Sequence, residues 1–343
     1  MKQILKPSDH PKFKSNINIG VLIINLGTPD NTDVKSMRRY LKEFLSDRRV
    51  IDLPRVFWWL ILNFIILNLR PKKSGEAYKR IWLKNDEDGS PLRRITRLQK
   101  ESLSESFKEK KVLVEYAMRY GNPSIKSKLS DLKSKGCDKI LILSLYPQYA
   151  APTTATVNDE VCRWMLNQRW QPSIRFARPY FDHPEYINAM AKTITKSFQQ
   201  HGEPDILLFS FHGSPIRYLI EGDPYHCQCL KSARLIKEKL KISDNKILIS
   251  FQSRFGSEPW LQPYTDETLE KLGSKKINHL SIVAPGFASD NLETLEEINI
   301  EGREIFTENG GGKFTYISCL NESHEGMKLL NQLMQEELAG WIN

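Results

Sequence analysis

Glu293, Glu297 and Glu301 recur at intervals of four residues just beyond the apolar run 277–284. On an α-helix that interval stacks three carboxylates on one face. Positions 294–300 contain no Lys or Arg, and like charges so spaced cost a helix roughly 0.2 to 0.5 kcal/mol per pair. Such a row is expected to meet something cationic, a divalent ion or a train of protons. Asp290 prolongs it on the N-terminal side. With Glu293 three residues later, Asp290 also fits a capping box, in which both side chains are spent on backbone amides.

An imidazole supplies the other half of that chemistry. His212 ends the apolar run 206–211 and is followed by Gly213-Ser214-Pro215, a strand running into a tight turn. Ligands of open α/β sheets bind outside the carboxyl ends of the strands, so His212 and the loop before the acidic row are expected to face one cleft. Imidazole exchanges protons near neutral pH. A histidine beside carboxylates suits a reaction that moves a metal ion or protons. Taken singly, the plainer readings are a satisfied structural histidine and an ordinary acidic first turn.

Positioning these groups requires parallel sheets. Apolar strand candidates at 19–26, 112–118, 140–145, 174–177, 206–211, 247–251, 277–284 and 314–317 alternate with helical patterns, as in strands joined by covering helices. The predicted fold is α/β: two similar Rossmann-like domains, each a four-stranded parallel sheet flanked by helices, with the functional cleft between them. Residues 18–165 are expected to form the first and 166–320 the second, with 321–343 a helix that packs back on the body. No linker rich in Gly, Ser or Pro separates the halves, which predicts close packing. A chain of 343 residues, 40% hydrophobic and 27% charged, is long enough for two such cores.

Fifty basic against forty-one acidic residues leave a net charge of +9, which favours an anionic partner. No nucleic-acid-binding motif accompanies it, so nucleic acid is not the expected one. Much of the positive charge instead flanks the apolar segment 56–69: Arg55 precedes it, and Arg70, Lys72 and Lys73 follow. As a helix this segment spans about 21 Å, short of the roughly 30 Å hydrocarbon core. It is expected to lie on a membrane surface, with Trp58 and Trp59 at the interface and the basic cluster on anionic head groups. A buried core helix is the alternative.

Cys137, Cys162, Cys227, Cys229 and Cys319 are irregularly spaced, which argues for a reducing compartment rather than a disulfide framework. Cys227 and Cys229 lack the second close pair that a metal site needs. The stretch 1–18 is polar, with no apolar signal core. The expected location is cytoplasmic, peripheral at the inner face of the cell membrane.

Together the motifs resemble those of the ferrochelatase family, enzymes that insert ferrous iron into protoporphyrin IX to make protohaem. The resemblance covers about 20–304. It rests on Ile24-Asn25-Leu26-Gly27-Thr28-Pro29, Ala117-Met118-Arg119-Tyr120-Gly121, Leu145-Tyr146-Pro147-Gln148-Tyr149, Ser210-Phe211-His212-Gly213, Gly222-Asp223-Pro224-Tyr225, Ser257-Glu258-Pro259-Trp260-Leu261 and the 290–297 segment. It implies that His212 is the active-site histidine and metal-facing group, with Glu293 its partner carboxylate across the porphyrin cleft. Asp290, Glu297 and Glu301 would continue as a path for metal delivery or proton removal. Leu26 would lie near the opposite porphyrin face, where Leu cannot ligate iron. Arg119, Tyr120, Tyr225, Trp260 and Phe287 would line the pocket, and Arg70, Lys73 and Ser90 would stand near the propionates.

Two departures from the family pattern matter. Asn291 stands where animal members carry a histidine, and no cysteine follows Cys319, so the C-terminal iron-sulfur cluster of animal members is not expected. No permanently bound cofactor is predicted; ferrous iron is a substrate. Expected partners are protoporphyrin IX, the membrane surface through 56–69 and the oxidase that precedes this step of the haem pathway. A chelatase for another tetrapyrrole is the alternative enzyme, though the greasy 56–69 segment suits a less carboxylated ring. A non-catalytic haem- or metal-binding protein is the third reading, and it explains less well why acids and a histidine should meet.

Overall fold

The computed structural model describes residues 18–342; the expectation for the polar N-terminus concerns 1–18, of which 1–17 lie outside the described residues. All eight strand candidates form. β1 (Asn18–Thr28), β2 (Val112–Gly121), β3 (Cys137–Ser144) and β4 (Ser173–Phe176) make a sheet in the order β2-β1-β3-β4. β5 (Ile206–His212), β6 (Ile247–Gln252), β7 (His279–Val283) and β8 (Lys313–Ile317) make a second in the order β6-β5-β7-β8. Every pairing is parallel, and the strand order of one half repeats in the other. Parallel sheets are covered on both faces, so successive residues of β1 serve different cores: Val21 and Ile23 one, Leu22 and Ile24 another.

The expected division at 165/166 is corrected. β4 lies beyond that point yet pairs with β3, Ile140 opposite Ile174 and Ile142 opposite Phe176. The chain therefore crosses between halves after β4, ahead of the helix Pro184–His201. One apolar cluster joins the two sheets, with Val21, Ile23 and Leu143 from the first and Leu207, Phe209 and Val283 from the second. Removing that layer from water, at roughly 25 cal/mol per Å² of apolar surface, holds the halves as one body. The helix His324–Glu337 packs on Pro184–His201 and on Pro91–Ser106 of the first half.

The apolar segment is helical but not uniformly α. Arg55–Ile61 runs into a π-turn, Leu62–Ile66, and then into the helix Leu67–Ile81. Leu62 and Leu67 are buried beside Met37, Leu45 and Tyr120, while Val56, Phe57, Trp59, Phe64, Ile65 and Leu69 are exposed. Trp58 corrects the expectation for the tryptophan pair: its ring turns inward, and Nε1 donates to the Leu45 carbonyl at 2.7 Å. Pro71 is tolerated inside the helix because the carbonyl it cannot serve, that of Leu67, accepts from Arg38 Nη1 at 2.6 Å. Among the described residues no helix is long and apolar enough to cross a membrane.

Candidate active site

β5 delivers His212, and the residue after it has to be glycine. The Gly213 N–H donates to the Gln252 carbonyl at 2.7 Å, and a Cβ there would lie 2.6 Å from that oxygen and 3.0 Å from the Trp260 ring. Nδ1 of His212 is 2.6 Å from the Gly213 carbonyl oxygen. A carbonyl only accepts, so Nδ1 carries the hydrogen and Nε2 of the neutral ring keeps its lone pair. Phe287 meets the imidazole edge-on, with ring centroids 6.4 Å apart.

The acidic row is wound as a π-helix, Glu293–Gly302, a rare form that concentrates at functional sites. Its wider turn splits the row. Glu297 points to the end of β6, where Oε1 accepts from the Ser253 N–H at 2.8 Å and Oε2 from the Ser253 hydroxyl. Burial pushes the Glu297 carboxyl above its ordinary range; the Ser253 bonds and His212, when protonated, pull it back, and Glu293 pushes it further. Glu297 is thus within electrostatic reach of both. Gln252 accepts from Ser210 Oγ at 2.7 Å and donates to the Glu293 carbonyl at 3.0 Å, pinning the start of the π-helix to β5 and β6. His212 and Glu293 therefore belong to one wall, a correction to their placement across the cleft from each other.

The first half supplies the facing wall. Leu26, Thr28, Tyr40, Tyr78 and Ser90 close on Glu293 around a slot of about 10 Å³, scarcely room for one water. Burial and then the charge of Glu293 push the Tyr78 hydroxyl up, which keeps it a hydrogen-bond donor. An open cleft of about 950 Å³, lined by Asp47, Arg49, Arg119, Tyr149, Asp159 and Tyr218 among others, also lies between the halves.

Several predicted site residues have other employment. Asp290 is buried and accepts from the Tyr316 hydroxyl, from Asn321 Nδ2 at 2.6 Å and from Thr294 Oγ1 at 3.1 Å, so it anchors the loop rather than continuing a path. The helix cap is a reciprocal pair, Thr294 N–H to Asn291 Oδ1 at 3.1 Å and Asn291 N–H to Thr294 Oγ1 at 2.9 Å; the Asp290–Glu293 box does not form. Arg119 lines the open cleft, but its guanidinium is spent on Asp47 and on Thr156 Oγ1. Tyr120 is fully buried, its hydroxyl 3.0 Å from Asp47, and Trp260 is buried behind Gly213 against Phe255. Both are core residues, not pocket walls. Tyr225 lies against the backbone of His212 and the side chain of Cys229. Arg70 and Lys73 are exposed on Leu67–Ile81.

Glu301 is exposed too, and turned from the slot. Among the described residues, only Glu301 of the row has a cationic side chain beside it, Arg80 at 3.9 Å, and Arg80 is closer to two acids outside the row, 2.9 Å from Glu296 and 3.0 Å from Glu304. Sequence reasoning missed Arg80, Glu296, Tyr40 and Tyr78. It also missed Gln252 and Ser253, which the rule that found His212 could have located, since they sit at the carboxyl end of β6. Among the described residues no group of three or more His, Cys, Asp or Glu side chains is arranged to hold a metal ion.

A family model described as Ferrochelatase matches residues 18–338 of this chain. The chain belongs to the ferrochelatase family. The ferrochelatase of Rhizobium meliloti is 53% identical over 337 residues, covering 98% of this chain and 99% of that protein. That of Allorhizobium ampelinum is 52% identical over 338 residues, covering 98% of each. Among solved structures, SirB from Bacillus subtilis with Fe3+ superposes with a TM-score of 0.53 at 13% identity, covering 95% of this chain and 97% of that one. The cobalt complex of the sirohydrochlorin chelatase SirB from Bacillus subtilis subspecies spizizenii gives 0.54 at 11% identity over 94% and 96%. At such identity the likeness is one of fold, the two-sheet chelatase architecture. Ferrochelatases are lyases, and relatives of half identity over nearly the whole chain decide against the other tetrapyrrole chelatase and the non-catalytic binder.

Proposed function

We propose that His212 and Glu297 accept the pyrrole protons while Glu293 faces the incoming ion. As a ferrochelatase the protein inserts iron into protoporphyrin IX, the terminal step of haem biosynthesis. One ferrous ion replaces two pyrrole N–H hydrogens, so two protons must leave. The observation that carries the assignment is the Nδ1 contact of His212 with the Gly213 carbonyl, which leaves Nε2 as a base. Glu297, raised by burial and held by Ser253, is suited to receive what the imidazole takes up. The aromatic wall of Tyr40 and Tyr78 suits a flat ring. Arg70 and Lys73 are exposed cations on Leu67–Ile81, the helix that also carries Tyr78, and would pair the propionates beside Ser90; Arg119, neutralised by Asp47, would not.

The exposed side chains of the apolar lip, with Arg55, Arg70, Lys72 and Lys73 around them, favour docking on an anionic membrane surface at the inner face of the cell membrane. Protoporphyrin is poorly soluble, and the oxidase that makes it would hand it over there.

Loss of porphyrin fluorescence on anaerobic addition of ferrous iron tests the chemistry. His212→Ala should slow metalation by about 10² to 10⁴ while still binding protoporphyrin. Metalation at the wild-type rate in that variant would overturn the assignment.

A further inference from the structure

The slot over Glu293 is shut. Its volume of about 10 Å³ compares with roughly 300 to 1,000 Å³ for pockets that hold organic ligands. Its walls come from different halves. Tyr78 and Ile81 ride on Leu67–Ile81, the helix that continues the apolar lip, whereas Asn291 and Leu292 lead into the π-helix and Glu293 is its first residue. Arg80 lies between Tyr78 and Ile81 in sequence and ties one wall to the other. Nη1 is 2.9 Å from the buried carboxylate of Glu296, and Nη2 is 3.0 Å from Glu304. Isolated surface pairs are weak, but here one partner is buried and the guanidinium fork grips two carboxylates at once.

We infer that Arg80 is a positioning residue, a latch that holds the lip helix against the π-helix and sets the width of the slot over Glu293. Admitting a macrocycle means moving Tyr78 and Ile81 away from Glu293, and the Arg80 bridges are the polar link which that motion breaks. The latch couples lip movement to the acids of the site. It rests on the reading of the Leu26–Glu293 slot as the macrocycle site.

Stopped-flow porphyrin fluorescence with the full-length enzyme and detergent-dispersed protoporphyrin IX tests it. Arg80→Ala and Glu296→Gln should each raise the association rate about two- to fivefold, and Arg80→Lys, which keeps the charge but not the fork, should fall between wild type and Arg80→Ala. The wild-type rate should climb with ionic strength as the bridges are screened, and the climb should vanish in Arg80→Ala. A merely structural role would lower the melting temperature without speeding association. Association as slow as wild type in both Arg80→Ala and Glu296→Gln, with the salt dependence intact, would overturn the latch. Leu26→Trp separates the two readings: wild-type binding in that variant removes the slot as the macrocycle site and the latch with it, whereas lost binding there alongside unchanged Arg80→Ala kinetics removes the latch alone.

Discussion

Ser253 donates both its backbone N–H and its hydroxyl to the carboxylate of Glu297. The backbone at Ser253 is left-handed, φ 64°, an uncommon state for a residue with a Cβ, and it occurs where β6 hands over to the site. Strain of this kind is held in place by surrounding packing and gathers where function needs a fixed geometry. Here it fixes an acid within electrostatic reach of His212.

Glu297→Gln keeps both Ser253 contacts, since an amide can accept from the N–H and donate to the hydroxyl. Burial raises the folded-state pKa of Glu297 above its unfolded value. The folded protein then holds the proton more readily than the unfolded chain, so stability falls as pH rises through that window and the ionised group is a burden at neutral pH. The variant should therefore melt higher than wild type at pH 7, with the gap closing as pH drops below the ordinary glutamate range. Metalation should fall about a hundredfold. Melting curves across pH, with a gap that does not change, would contradict this account.

The lip separates two kinds of tryptophan. Trp59→Ser combined with Phe64→Ser should abolish flotation with anionic liposomes and leave metalation of detergent-dispersed porphyrin near wild type, because both rings face solvent. Trp58→Ser should instead lower stability by about 2 kcal/mol or more, since that ring packs inward and bonds Leu45. Equal flotation of the double variant and wild type would reject the lip as the docking face.

Asp290 acts through the fold. Asp290→Ala leaves the Tyr316 hydroxyl and the Asn321 amide without their buried acceptor, a cost of about 2 to 5 kcal/mol, and frees the loop that seats Glu293. Chemical denaturation should show the loss at every pH tested, and metalation should fall along with porphyrin affinity. Wild-type stability would mean that the anchor is dispensable.

Gly213→Ala tests the close approach beneath His212. The added methyl meets the Gln252 carbonyl oxygen at 2.6 Å, backbone that cannot swing aside, so a loss of about 1 to 3 kcal/mol is expected. The strand end should shift with it, lowering kcat more than porphyrin affinity. A fully active variant would show that the strand end tolerates displacement.

Much of this architecture is legible in residues alone because it is local. Eight short apolar runs became eight strands, since a strand buried on both faces leaves little choice of residue. His212 was readable for the same reason: the end of an apolar run and a Gly-Ser-Pro turn mark a sheet's carboxyl edge without knowledge of any partner. The lip was readable as a contiguous greasy stretch, though which tryptophan faced water was not.

Tertiary structure decided which acids serve the site. Four-residue spacing treats Glu293, Glu297 and Glu301 as equals, yet π-winding and the neighbours sort them, Glu297 to Ser253 and Glu301 towards Arg80. Arg80 stands 216 residues before Glu296, and no pattern in either segment announces the other. The same holds for Asp290, whose partners Tyr316 and Asn321 arrive from beyond β8 or at its end. Charge, polarity and periodicity are properties of a segment and can be read there; the partner that satisfies a buried charge is a property of the packed whole, because desolvation and Coulomb energy depend on what comes near in space rather than along the chain.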